Sequence, residues 1–183
     1  MSKKLLLISL TVFIFVGAVF LVPAINVVSV SSRKNPSLRF YSSDAYRYGF
    51  IISYTHSVNK GRVHDYYRCT HNGDFVLEST HFVSYGAGIP ELEEISGADF
   101  FVIDNCYIIS NINRKLSSLM MAVGIIANHS FASAENSTDA QNRYEDILGE
   151  IFLTDYFPPQ TSLIIECRKV NLIDYIIHKV RRF

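Results

Sequence analysis

The feature that most constrains this chain is an uncharged run close to its amino terminus. From Leu5 to Ser32 no residue is charged, and the run contains the stretch LLLISLTVFIFVGAVFLVPAINVVSV. A helix needs about 20 consecutive apolar residues to cross the hydrocarbon core of a bilayer. The stretch Leu5–Val30 therefore predicts a single membrane-spanning helix, with residues 1–32 as an N-terminal anchor.

A cleaved signal peptide is the alternative, because Val22–Ala24 offers small residues at a cleavage site. The apolar run is longer than the roughly 7–15 residues typical of signal peptides, which favours an uncleaved anchor. Basic residues flank the run on both sides, so charge alone does not fix its orientation. By analogy with signal anchors, we expect a single-pass protein of the cell membrane whose main domain lies outside the cytoplasm.

Composition limits the rest of the chain to one domain without a nucleic-acid partner. The 183 residues include 17 basic and 17 acidic side chains, so no net positive charge is available for a phosphate backbone. Three cysteines, Cys69, Cys106 and Cys167, are too far apart for a local metal motif. Their odd number permits at most one internal disulfide, and the sequence leaves the pairing open.

Alternating apolar and polar residues predict a mainly antiparallel β-domain after a polar tether at residues 33–46. The segments YGFIISYT, VHDYYRCT and FVLESTHFVSY have the pattern of strands, and Gly61 and the Asn72–Gly73 pair mark the turns between them. We predict a compact β-barrel or β-sandwich over residues 47–170. A polar surface insertion is expected at 132–146.

The last 13 residues predict a short amphipathic helix, residues 171–183. One apolar stripe at helical spacing carries Leu172, Ile173, Ile176, Ile177 and Val180. Such a helix would either cap the β-domain or lie on a membrane surface.

Histidine, serine and aspartate cluster around the first predicted hairpin. The neighbouring His56 and Ser57, with Asp65, suggest a hydrolase, but consecutive side chains of a strand point to opposite faces, which opposes activation of the serine. His56 and Asp65 lie on adjoining strands and are expected to face each other across the hairpin. Such a pair would either fix the strand register or contact a ligand.

The histidines do not show the close spacing of a structural zinc motif, so neither a metal nor another cofactor is expected. If a metal site exists, His56, Asp65 and His129 are the combination expected to converge. The Gly86–Ala87–Gly88 loop would either present backbone N–H groups to an anion or form a tight structural turn. Arg114 would either pair with a carboxylate ligand or remain solvated.

Several of these motifs occur together in one known family. The elements Thr55–Val58, Asp65 and Gly86–Pro90, in this order, resemble the family called domain of unknown function 1850, and matching stretches follow at residues 112–116, 123–131 and 150–166. The resemblance implies a small, membrane-anchored, mostly β protein of the kind found with TRAP transporters of the TAXI class. The family usually has glutamate where this chain has Asp65.

The resemblance implies a non-enzymatic accessory or regulatory protein of such a transporter, acting on its permease or on its solute-binding protein. A free-standing ligand- or metal-binding module is the alternative, and an anchored hydrolase is a third. The candidate ligand-binding or docking residues are Thr55, His56, Ser57, Asp65, Gly86, Gly88, Arg114 and His129.

Overall fold

The chain folds mainly into antiparallel β-structure, as its alternating pattern predicts. The computed structural model describes residues 3–58, 60–83, 97–103, 106–136, 147 and 149–179. The helices are α1 (Lys3–Leu21), α2 (Ser43–Tyr48) and α3 (Leu172–His178). The strands within the described residues are β1 (Ile25–Ser32), β2 (Arg39–Ser42), β3 (Phe50–Thr55), β4 (Arg62–Cys69), β5 (Phe75–Phe82), β6 (Asp99–Ile103), β7 (Cys106–Ser110), β8 (Arg114–Leu116), β9 (Leu119–Ala122), β10 (Ser130–Ser133), β11 (Ile151–Phe152) and β12 (Ser162–Val170).

These strands form two open sheets. The smaller sheet has the order β2-β1-β12-β9, and the larger has the order β11-β10-β3-β4-β5-β7-β6, with β8 also paired to β5. The predicted meander of β3, β4 and β5 is confirmed, and Gly73 supplies a positive φ of 85° in the turn between β4 and β5. No barrel closes among the described strands, so the two-sheet alternative describes the architecture.

One hydrophobic core lies between the two sheets. The smaller sheet contributes mainly aliphatic side chains and the larger sheet mainly aromatic ones. The set includes Val28, Val30, Phe40, Leu163 and Ile165 from the first, and Phe50, Ile52, Tyr67, Phe75 and Phe131 from the second. The Phe50 ring stacks on that of Tyr67 at 4.8 Å and on that of Phe131 at 5.7 Å. Burial of this shared surface stabilises the sandwich.

The predicted N-terminal anchor is wrong beyond Leu21. The helix ends just before Pro23, and residues 25–32 form β1, which pairs with β12 from Ile25↔Val170 to Ser32↔Leu163. The strand contains only valine, isoleucine, serine and asparagine, so its sequence continues the uncharged run of the helix without a break. Among the helices in the described part of the chain, none has the length and apolar content that a bilayer crossing requires.

The predicted tether and insertion also contain regular structure. Residues 33–46 include β2 and most of α2, whose N-cap Ser42 accepts a hydrogen bond from the Ala45 amide at 3.1 Å. The expected insertion at 132–146 begins with the last two residues of β10 and a 3₁₀ turn at Ala134–Asn136. Its continuation through residue 146 lies outside the described residues.

The C-terminal helix attaches to the domain through its polar side. Asp174 accepts hydrogen bonds from Arg39 Nη2 and Tyr41 Oη, both at 2.9 Å, and the Tyr175 hydroxyl lies 2.7 Å from Ser43 Oγ. The apolar side chains Ile173, Ile176 and Ile177 are 45%, 66% and 67% exposed. The amphipathic helix thus exists over Leu172–His178, and these isoleucines point away from the core.

Gly49 is expected to be irreplaceable by alanine. Its φ of 92° and ψ of 174° belong to a region open essentially to glycine alone, and an added Cβ would lie 2.6 Å from the Tyr67 carbonyl oxygen. Gly49→Ala should therefore lower the free energy of unfolding by more than about 2 kcal/mol, measured by denaturant unfolding in mild detergent.

Gly97→Ala is the matched control, because Gly97 also has a positive φ, 85°, but no atom of the described residues lies within 4 Å of an added Cβ. It should cost about 1–2 kcal/mol, the penalty of the backbone conformation alone. Equal losses in the two variants would show that the contact with Tyr67 does not constrain Gly49.

Candidate functional site

The turn between β3 and β4 and the loop before β10 meet at one end of the larger sheet. The Thr55 amide donates to the Ala127 carbonyl at 2.6 Å, which ties the two segments together. We call this region, residues 55–62 and 123–130, the hairpin end. It contains three of the predicted site residues in sequence, Thr55 to Ser57, together with His129.

The predicted pairing of His56 with Asp65 is wrong. The last register pair of the hairpin is Thr55↔Arg62, so His56 lies in the turn, where its Nδ1 accepts from the Val58 amide at 3.2 Å. Asp65 is paired in register with Ile52 instead. Ser57 is exposed in the same turn, and the structure therefore does not bring the hydrolase combination of Ser57, His56 and Asp65 together.

Asp65 lies on the inner face of the larger sheet, between the main core and a second apolar cluster around Val63 and Phe82. The Thr80 hydroxyl donates to Asp65 Oδ1 at 2.6 Å. Burial raises the pKa of the Asp65 carboxyl to about 6, although the Thr80 hydrogen bond opposes the rise. Burial also raises the pKa of Tyr54, and the Asp65 charge adds to that increase. Asp65 is thus a carboxyl group that gains a proton in weakly acidic solution.

His129 lies at the hairpin end beside Tyr54, with the ring centroids 6.0 Å apart. Its Nδ1 accepts from the Gly124 amide at 3.2 Å, which places the proton of the neutral ring on Nε2. Burial, and then the charge of Arg62, lowers the pKa of His129. Within the described residues, no group of three or more His, Cys, Asp or Glu side chains could hold a metal ion.

A polar row that the sequence did not predict crosses the outer face of the larger sheet. Ser130, Ser53, His64 and His81 are consecutive register partners on β10, β3, β4 and β5. Ser53 Oγ and His64 Nδ1 lie 2.7 Å apart, and both residues are buried. In the sequence, these four residues lie on four separate strands. Only the strand register shows that the four lie next to one another.

Arg62 joins this row to the hairpin end. Its guanidinium donates to the Asn128 carbonyl at 2.7 Å, to Ser130 Oγ at 2.8 Å and to Glu150 Oε2 at 3.1 Å. Ser130 Oγ also donates to Glu150 Oε2. The Arg62 and Glu150 side chains are only 11% and 5% exposed, so the pair holds β4, β10 and the start of β11 together in a largely dry environment.

Among the remaining predicted site residues, Arg114 lies apart from the hairpin end. Arg114 is exposed at the start of β8, where its register partner is Leu77 on β5. Gly86 and Gly88 lie outside the described residues.

Three large apolar side chains project from the hairpin end. Val58 in the β3–β4 turn is 70% exposed, and Ile125 and Ile126 in the neighbouring loop are 68% and 76% exposed. We call these three residues the apolar tip. The sequence alone does not reveal that the two loops bring these exposed side chains to the same end of the sheet, where the Thr55–Ala127 hydrogen bond joins the loops.

Replacing Asp65 with asparagine should change how stability depends on pH. Because the pKa is raised from 3.8 to about 6 in the folded protein, the favourable contribution of the neutral carboxyl is present below about pH 4 and is lost as the pH rises through 6. Asp65→Asn keeps an acceptor for Thr80 and removes this loss. Its free energy of unfolding, relative to the unsubstituted protein, should rise by about 1–3 kcal/mol between pH 4 and pH 7.

Asp155→Asn, at an exposed position, is the control for the loss of a carboxylate charge. A pH-independent difference for Asp65→Asn would contradict the raised pKa.

Loss of the Arg62 charge should destabilise the domain strongly. Arg62→Gln removes the cationic partner of the buried Glu150 carboxylate, which keeps only neutral donors such as Ser130, at an expected cost of about 3–5 kcal/mol in the free energy of unfolding. Arg68→Gln is the control, because the Arg68–Glu78 pair is 55% and 44% exposed and should contribute less than about 1 kcal/mol. Comparable losses in denaturant unfolding would refute the structural role of Arg62.

The comparison with known proteins concerns the larger sheet. Residues 50–139 match the model of the family described as Domain of unknown function (DUF1850). No curated protein and no solved structure matches the chain. The matched segment runs from β3 through β10 and includes Asp65, His129 and the hairpin end. Residues 50–139 thus match the domain of unknown function 1850 family, as the motifs in the sequence indicate.

Proposed function

We propose that the protein is a non-catalytic accessory protein of a TAXI-type TRAP transporter, held at the cell membrane with its β-domain outside the cytoplasm. The observation that carries the proposal is the apolar tip, because exposed large apolar side chains grouped on adjoining loops are typical of a docking surface. The family resemblance supplies the transporter context.

The loop that carries Ile125 and Ile126 is held in place by backbone hydrogen bonds. The Val123 amide donates to the Thr161 carbonyl at 3.0 Å, and the Gln160 amide donates to the Val123 carbonyl at 2.8 Å. On its other side the loop is bonded to Thr55. A surface that is already ordered loses little conformational entropy when a partner binds, which favours docking.

The apolar helices lie at the opposite end of the domain from the tip. Along β12, Ser162 pairs with Ala122 beside the tip, and Val170 pairs with Ile25 just after α1. The eight residue steps between them span roughly 26 Å at about 3.3 Å per residue. The tip and α1 are therefore well separated.

Membrane attachment at the α1 end is supported by exposed apolar side chains. Ile8, Leu10, Val12 and Phe13 of α1 are all more than half exposed, and α3, which contacts α1, exposes its isoleucines. With this end at the membrane, the tip projects away from it. We therefore propose the solute-binding protein, rather than the membrane-embedded permease, as the partner of the tip.

The half-buried Asp65 carboxyl supports a second candidate function, a ligand-binding module. A carboxyl beside Thr80 and Tyr54, with its pKa near 6, suits a small ligand that offers a cationic or hydrogen-bond-donating group. Calorimetric titration of the full-length protein with divalent cations and small organic amines should then give saturable heat that Asp65→Asn removes. Unchanged heat in that variant would exclude Asp65 as the binding group.

The tip predicts a specific defect in partner binding. Ile125→Ser combined with Ile126→Ser should weaken co-purification of the solute-binding protein at least about tenfold, since truncating central apolar contacts typically costs more than 1 kcal/mol each. The measurement is affinity purification of the tagged full-length protein in mild detergent, with quantitative mass spectrometry of the solute-binding protein and the permease.

Ile176→Ser combined with Ile177→Ser is the matched control, because this adjacent pair is 66% and 67% exposed at the opposite end of the domain. It should leave recovery of the solute-binding protein unchanged. Equal recovery with the tip variant and the control would refute docking through the tip.

A further inference from the structure

Two thiols from different sheets face each other beside the main core. Cys69 is the last residue of β4 in the larger sheet, and Cys167 lies within β12 in the smaller sheet. Their Sγ atoms are 3.1 Å apart, although the residues are separated by 98 positions in the chain. Both side chains are half-buried and pack against the core that the two sheets share.

The surroundings of the pair are closely packed. Cys69 Sγ also lies 3.7 Å from the Ala45 carbonyl oxygen of α2. The hydrogen bond shared between the two thiols, followed by burial, raises the pKa of the Cys69 thiol. Because the thiolate is the attacking species in exchange with an existing disulfide, the raised pKa of Cys69 slows attack by this residue.

The third cysteine is too distant to compete. Cys106 adjoins Tyr107, whose register partner is Phe82 at one end of β5, whereas Cys69 pairs in register with Phe75 at the other end. The seven residue steps between Phe75 and Phe82 span roughly 23 Å at about 3.3 Å per residue. Bridged cysteines have Cα atoms less than about 7 Å apart, which excludes Cys106 as a partner of Cys69.

We propose that Cys69 and Cys167 form a disulfide that joins the two sheets and does not involve Cys106. The oxidant is a disulfide-bearing donor, either a thiol oxidoreductase or an oxidised small thiol. One cysteine thiolate attacks the donor disulfide, forming a mixed disulfide and releasing one donor thiol. The second cysteine then attacks the protein sulfur of that mixed disulfide and releases the other donor thiol. The donor gains two electrons and two protons, and the cysteines lose them.

The expectation that this bond forms in the cell rests on the proposed location outside the cytoplasm, where such donors act. The test supplies the donor in the tube, so its outcome concerns the thiol pair and not the location. Purified full-length protein in mild detergent is incubated with oxidised glutathione, free thiols are alkylated, and the digest is analysed by mass spectrometry. We expect linked peptides that contain Cys69 and Cys167, with Cys106 alkylated after unfolding.

A thermal readout tests the structural consequence. Because the bond closes a long loop, reductant should lower the Tm of the oxidised protein by roughly 10 °C. Cys106→Ser should retain this difference, whereas Cys69→Ser and Cys167→Ala should each abolish it. Two variants at different positions keep the test informative if one fails to fold. Stable mixed disulfides with glutathione at either site, linkage through Cys106, or a Tm insensitive to reductant would overturn the proposal.

Discussion

The fold depends on the pairing of β1 with β12, which joins the two ends of the chain residue by residue from Ile25↔Val170 to Ser32↔Leu163. This ladder is the centre of the smaller sheet, and it supplies Val28, Val30 and the β12 residues that cover the aromatic face of the larger sheet. The family match spans residues 50–139 and contains neither strand. The matched segment therefore carries the candidate site, while chain outside the match completes its core.

Sequence periodicity predicted strands β3 to β5 of the larger sheet, because alternating apolar and polar residues bounded by turn residues indicate strands with one buried face. The three-strand meander and the mainly β class follow from Gly61, the Asn72–Gly73 pair and the alternation around them. β1 was missed for a physical reason. Its residues carry no charge and Val27 to Val30 are buried, so β1 extends the uncharged run of α1, and only Pro23 marks where the helix stops.

The candidate site shows a similar division. Residue types identified Asp65 and His129, but their partners depend on strand register, which turn length sets. Because the β3–β4 turn begins directly after Thr55, His56 leaves the sheet, and Asp65 is satisfied by Thr80. The buried Ser53–His64 contact and the Arg62–Glu150 pair arise from the same register. The domain exposes apolar helices at one end and the apolar tip at the other. In the proposed accessory role, the first end contacts the membrane and the second binds the partner protein.

The central structural claim is that the apolar run divides into a helix and a sheet strand after Leu21. Asn26 and Lys169 are exposed register partners on β1 and β12 and test it directly. Nitroxide labels on Asn26→Cys and Lys169→Cys, in a background without the native cysteines, should show strong dipolar broadening, because facing Cα atoms of an antiparallel pair lie about 4.5–5.5 Å apart. Spectra identical to the sum of the singly labelled proteins would show that residues 25–32 lie outside the sheet and would contradict this account.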